Sequence, residues 1–210
     1  MNGYIETAVG VFQALPGVIQ AGKEIWKLLK PPKTLATLEN NDGISERTYY
    51  SKDYKFSIAI PDDDWEFWRP STAFLASMGP EFNLPTRAMP IIIFSKKIFR
   101  LFRPNVNVTV ESVGDYTNIE EMVRLSEVML RKAGVTLDAA DIHIDNIHQS
   151  GVLISSQPHL TGTMYQVQQQ YLVTGMLYTV TASYVPLSDL SKGLFGGLQE
   201  IMNSFKFIEA

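Results

Sequence analysis

The sequence predicts an α+β fold: a mainly antiparallel sheet with helices packed against it, preceded by an N-terminal amphipathic helical arm. Three observations predict it. After residue 48 most of the chain consists of short runs with apolar residues at every second position, the period of a half-buried strand. Helical runs in that region do not alternate one-to-one with the strands, which argues against a parallel βαβ sheet. Before residue 48, one continuous stripe of apolar residues recurs at steps of three and four, the period of a helix.

That stripe is Ile5, Ala8, Phe12, Leu15, Ile19, Gly22, Trp26 and Leu29. Pro16 interrupts it, because proline lacks a backbone donor and clashes with the preceding turn. Glu6 stands near the start and Lys23, Lys27, Lys30 and Lys33 gather at the end, an order that suits the helix dipole. Pro31-Pro32 ends the helix, so residues 1–31 form the arm and the polar stretch 32–47 reads as a linker. Two readings of the arm stay open. It packs on protein, either this chain or a second copy, or it lies in an anionic membrane surface with Phe12, Leu15, Ile19 and Trp26 inserted and its lysines at the headgroups.

Residues 48–210 form the folded domain. Tyr54, Phe56, Ile58 and Ile60 alternate with polar and small residues as a strand, and Pro61 stops it. Asp62-Asp63-Asp64 follows as a solvated turn, since consecutive acids point apart and lack the spacing of a calcium loop. Trp65 and Trp68 cap the edge of the core; as interface anchors they are also candidate binding residues. Ser71–Met89, rich in Pro, Gly, Ser and Met, reads as an irregular excursion. Pro90–Phe94 is a buried strand. The stretch 95–104 then interleaves Lys96, Lys97, Arg100 and Arg103 with Ile98, Phe99, Leu101 and Phe102, a candidate contact for an anionic partner or membrane surface.

Val106, Val108 and Val110 mark the next strand. Thr117 and Glu120 are spaced as a capping box, and Ile119, Met122, Val123, Ser126, Met129, Leu130 and Ala133 share one helical face that Gly134 terminates. Strands follow over 140–148, 151–156, 164–174 and 176–184. In the third, Gln166, Gln168 and Gln170 alternate with Tyr165, Val167, Gln169, Tyr171 and Val173. A row of glutamines predicts a wet sheet face or polar contact surface, with Gln168 and Tyr171 as candidate contacts. Ser188 starts a last helix whose face is Leu190, Leu194, Leu198, Ile201, Met202 and Phe205, weakened early by Gly193 and Gly196-Gly197.

Composition removes several functions. With 22 acidic and 18 basic residues among 210, a uniformly basic nucleic-acid binder is not expected. Without cysteine there is no disulfide, thiolate metal site or cysteine nucleophile. His143, His148 and His159 have no metal-ligand spacing, and no phosphate loop or nucleophile elbow is present. No cofactor and no catalytic residue is expected. The start lacks the basic and small-residue signature of a secretory signal, and no window is long and apolar enough for a conventional membrane span.

Three stretches resemble the PsbP/DcrB superfamily, which includes the Ran-binding Mog-type fold. They are YKFSIAIPDDDWEF, NVNVTVESVGDYTNIEEMV, and the run from Tyr171 to Ile208 ending in Ser-Phe-Lys-Phe. The resemblance spans about residues 48–208 and leaves the arm outside. It implies an α/β/α sandwich and a non-enzymatic role as an accessory subunit, assembly factor or chaperone. The expectation is therefore an adaptor or accessory subunit, cytoplasmic or peripheral to the membrane, that binds a protein assembly through its arm and sheet domain. The alternative is a cytoplasmic chaperone that shields a client's hydrophobic helices.

Overall fold

A computed structural model of the chain describes residues 42–71, 73–75, 87–97, 102–114, 118–137, 141–160, 162–186 and 191–208. The arm, including Phe12, Leu15, Ile19 and Trp26, lies outside them. The first strands in chain order are β1 (Asp42–Ser45), β2 (Thr48–Ser51), β3 (Phe56–Ala59), β4 (Trp65–Trp68), β5 (Arg87–Ser95) and β6 (Asn105–Ser112). Helix α1 (Ile119–Lys132) follows, then β7 (Ile142–Asp145), β8 (Ser150–His159), β9 (Gly162–Val173) and β10 (Met176–Tyr184). The chain closes with α2 (Ser191–Asn203) and β11 (Lys206–Phe207). Every strand pair is antiparallel.

The strands form two sheets where the sequence suggested one. A four-stranded sheet runs β1-β2-β3-β11, and a seven-stranded sheet runs β4-β5-β6-β10-β9-β8-β7. The break falls where Pro61 ends β3, so the YKFSIAIP strand belongs to the small sheet. β1 lies inside the stretch expected as linker and pairs with β2 through a turn at Glu46-Arg47. β5 begins at Arg87, inside the stretch expected to be irregular.

Parity along β10 places the layers. Tyr178, Val180 and Ala182 join Val106, Val108, Val110, Phe56, Ile58, Leu198, Ile201 and Phe205 in the main core. Leu177, on the other face, joins Leu153, Leu172 and the α1 residues Ile119, Met122, Val123 and Leu130. Helices α1 and α2 therefore cover opposite faces of the large sheet, with α2 and the small sheet together on one of them.

Local chemistry explains the packing. The face predicted for α1 is the buried one, but its cap is Asn118, whose side chain accepts the Glu120 N–H at 2.7 Å, in place of the expected Thr117. Gly151 on β8 lets α1 approach, because a Cβ there would stand 2.3 Å from Val123 Cγ2. Ser204, just past α2, accepts the Ala59 N–H at 2.8 Å and reaches Ile201 O at 2.6 Å. It thus ties α2 to the small sheet. Phe205 stacks on Phe56 and Tyr171 at 5.3 and 5.5 Å between ring centres, and Phe207 meets Tyr178 edge-on at 5.0 Å. The terminal Ser-Phe-Lys-Phe is the clasp that closes both sheets over α2.

Candidate interaction surface

Strand register brings one end of the large sheet together. Phe94 stands opposite Asn105, Asn105 opposite Ser183, Tyr184 opposite Tyr165, and His159 opposite Gly162. The end of β5, the start of β6, the end of β10, the start of β9 and the end of β8 therefore share this rim. The basic–aromatic stretch 95–104 connects β5 to β6 here.

Two of its four cations, Lys97 and Arg103, are already paired. Lys97 pairs with the carboxylate of Asp64, and that hydrogen bond raises the lysine pKa. Arg103 pairs with Glu66, donates from Nε to Ser95 O at 2.5 Å, and lies over the Phe94 ring at 5.0 Å. Its partial burial lowers its pKa. Asp63 pairs with Arg47 at 3.2 Å, and Asp62 caps the Asp64 N–H at 2.8 Å. The acidic turn and the basic stretch, separate in the sequence, meet at Asp64 and Lys97, and Arg103 finds its partner in Glu66 on β4. Lys96 is exposed, and Arg100 lies outside the described residues.

Beside these pairs runs an aromatic ledge. Tyr165 and Tyr184 stack at 5.8 Å across β9 and β10, and Phe195 of α2 meets Tyr184 edge-on at 5.5 Å. Tyr165 is 36% and Phe195 44% exposed. Burial and the neighbouring Tyr165 phenol raise the Tyr184 pKa. Leu160, at the β8–β9 tip, is exposed, and Phe102 contacts the His159 ring at 5.4 Å. Burial lowers the His159 pKa. Phe195 had a visible signal in the sequence: it is an aromatic residue set off the Leu194-Leu198-Ile201 stripe that packs on the core. Its meeting with Tyr165 and Tyr184 depends on register and was not visible.

Three expectations about binding residues need correction. Trp65 and Trp68 do not stand at a rim. They form the ends of β4 and are 4% and 5% exposed, Trp65 in the main core and Trp68 against Phe74 and Phe94. The glutamine face is not wet: Gln166, Gln168 and Gln170 are buried, on the α1 side, together with Met164 and Leu172. Their alternation was legible, but amides in a row said nothing of what covers them. Gln168 and Tyr171 therefore belong to no common surface, since Tyr171 stacks on Phe205 on the opposite face.

The glutamine face carries a polar tract between the strands. Arg87 of β5 stands opposite Glu111 of β6, with Nη2 4.0 Å from Oε2. Burial raises the Glu111 pKa, and the Arg87 charge counters part of that rise. Gln170 Nε2 donates to Ser126 Oγ at 2.8 Å, and Gln166 Nε2 to Ser183 Oγ at 3.3 Å. Arg87, Asn107, Thr109, Glu111, Gln168 and Gln170 are among the residues around a cavity of about 30 Å³.

One histidine of the described residues stands beside an acid. His148 Nδ1 lies 2.6 Å from Asp145 Oδ2, a pairing the sequence reading did not expect. It sits in the exposed β7–β8 turn at the other end of the sheet, where His148 lowers the Asp145 pKa. Among the described residues no cluster of three His, Asp or Glu could hold a metal ion. None of the described helices is long and apolar enough to cross a membrane.

No known protein family and no curated protein matches the sequence. Solved structures do. Cyanobacterial PsbP (CyanoP) from Synechocystis is similar with a TM-score of 0.50 at 12% identity, covering 81% of this chain and 98% of that one. LpqN, involved in cell envelope biogenesis of Mycobacterium tuberculosis, is similar with a TM-score of 0.47 at 13% identity, over 73% of this chain and 83% of that one. A protein of Bacteroides thetaiotaomicron matches with a TM-score of 0.46 at 10% identity, over 79% of this chain and 50% of that one. The fold is PsbP-like: α+β, built mainly of antiparallel sheet.

Proposed function

We propose that this chain is a non-catalytic accessory protein of the PsbP/DcrB-like superfamily that binds a protein partner at the aromatic end of its large sheet, with the arm at 1–31 as a second attachment. The observation that carries the reading is the ledge on which exposed Tyr165 and Phe195 pack against partly buried Tyr184. Aromatic residues left in water lose hydrophobic stabilisation that a partner restores, and rigid aromatic groups are frequent anchors of interfaces. Exposed Lys96 and Leu160 flank the ledge and extend the contact. The amphipathic stripe of the arm supports the second attachment, because it needs an apolar surface to cover it.

The test is affinity capture from native extract with the full chain and two full-length variants, Phe195→Glu with Tyr165→Glu, and Phe12→Glu with Trp26→Glu. Circular dichroism and melting check that each stays folded. Loss of the same defined partner with the first variant supports the ledge, and loss with the second supports the arm. A partner set unchanged in both refutes the proposal.

A further inference from the structure

We infer that the cavity on the α1 face of the large sheet is a built site for ordered water, holding one or two molecules that hydrogen-bond to Gln170. Three observations carry this. The first is an orphan acceptor. Gln170 is 1% exposed, and its Oε1 has no hydrogen-bond partner among the described residues, although its Nε2 donates to Ser126 Oγ at 2.8 Å. A buried amide oxygen without a donor is costly enough that such atoms are rare in folded proteins. Turning the amide over does not remove the need. Ser126 then donates to Oε1, and Nε2 is the atom left seeking an acceptor.

The second observation is size. About 30 Å³ is above the roughly 10–15 Å³ that one water requires and leaves little room for a larger solute. The third is the chemistry of the wall. Asn107, Thr109, Thr179, Thr181, Gln168 and the Arg87–Glu111 pair offer both donors and acceptors, and Leu177 is the apolar member of the lining. A water needs two to four polar partners, which this wall supplies. A bare cation is disfavoured, because the Arg87 guanidinium stands beside Glu111, the carboxylate in the lining. The water completes the contact that Gln170 begins between β9 and α1, where Ser126 is the polar member of an otherwise apolar helix face.

Water–protein NMR cross-relaxation on the full-length chain tests the site. The expected result is a long-lived water signal at the Gln170 side-chain amide and at the neighbouring Gln168 amide in the same wall. In Gln170→Leu with Ser126→Ala, a pair that removes the orphan amide together with its partner, the signal at Gln168 should be lost. A crystal structure to about 1.5 Å is the second measurement, and it should show solvent density within hydrogen-bond reach of Gln170. A dry cavity in the crystal, or no long-lived water at that amide, overturns the inference.

Discussion

The indole of Trp65 stands so close to α2 that a Cβ at Gly197 would lie 2.9 Å from its Cζ2 and Nε1 atoms. Trp65 belongs to the main core and is 4% exposed, so its ring has nowhere to go. The glycine pair that weakens this helix in the sequence therefore has separable roles. Gly196 has open space at its Cβ position. Gly196→Ala should stabilise the protein by about 0.5–1 kcal/mol through helix propensity. Gly197→Ala should destabilise it by about 1–2 kcal/mol, because overpacking outweighs the same gain. Urea denaturation of both variants checks this, and equal effects would contradict the assigned contact.

The ion pairs Lys97–Asp64 and Arg103–Glu66 differ in burial, and their energetics should differ with it. Lys97 and Asp64 have side chains 60% and 53% exposed. Lys97→Met should leave stability almost unchanged, as for most surface pairs. Arg103 and Glu66 are 17% and 25% exposed, and Arg103 also holds Ser95 O. Arg103→Met leaves Glu66 and a backbone carbonyl in a half-buried place without their donor, and should cost about 2–3 kcal/mol. Chemical denaturation at low and high salt separates the two: the small Lys97 effect should fade with salt and the Arg103 effect should largely persist.

Thr174 and Gly175 form the two-residue turn between β9 and β10, with φ of 50° and 75°. Positive φ at both positions is the signature of a type I′ turn, which favours Asn-Gly. A β-branched residue is strained there. Thr174→Asn should stabilise the chain by about 0.5–1 kcal/mol, read as an upward shift in thermal midpoint with no change in the urea m-value.

What was legible in the sequence follows from what is local. The buried face of α1 could be read residue by residue, because helical period and burial coincide from Ile119 to Leu130. The bounds of β10, Met176–Tyr184, were equally plain. What was hidden depends on distant partners. Nothing near Asp64 announces Lys97, and nothing near Trp65 announces Gly197. Gln166 to Gln170 show the alternation of a strand but not that α1 and the neighbouring strands bury their face. The ledge was hidden for the same reason, since only register makes Tyr165, Tyr184 and Phe195 neighbours. Pattern sets which side chains share a face; topology sets what faces them.

The Arg87–Glu111 pair makes the stability of the fold depend on pH in an unusual direction for a carboxylate. Burial raises the Glu111 pKa above the ordinary value of 4.5, with Arg87 opposing the rise. The folded state thus holds the Glu111 proton more tightly than the unfolded state does. Linkage then fixes the sign: this group's contribution is most favourable at low pH and is lost as pH rises from the unfolded value through the folded one. Glu111→Gln removes that titration while keeping the shape of the side chain. The stability of the native protein relative to this variant should therefore rise as pH is lowered from neutral towards 4.5, and level off below it. Urea midpoints for both proteins at matched pH values give the difference directly. A native-minus-variant difference that falls on acidification would mean that Arg87, and not burial, dominates the environment of Glu111.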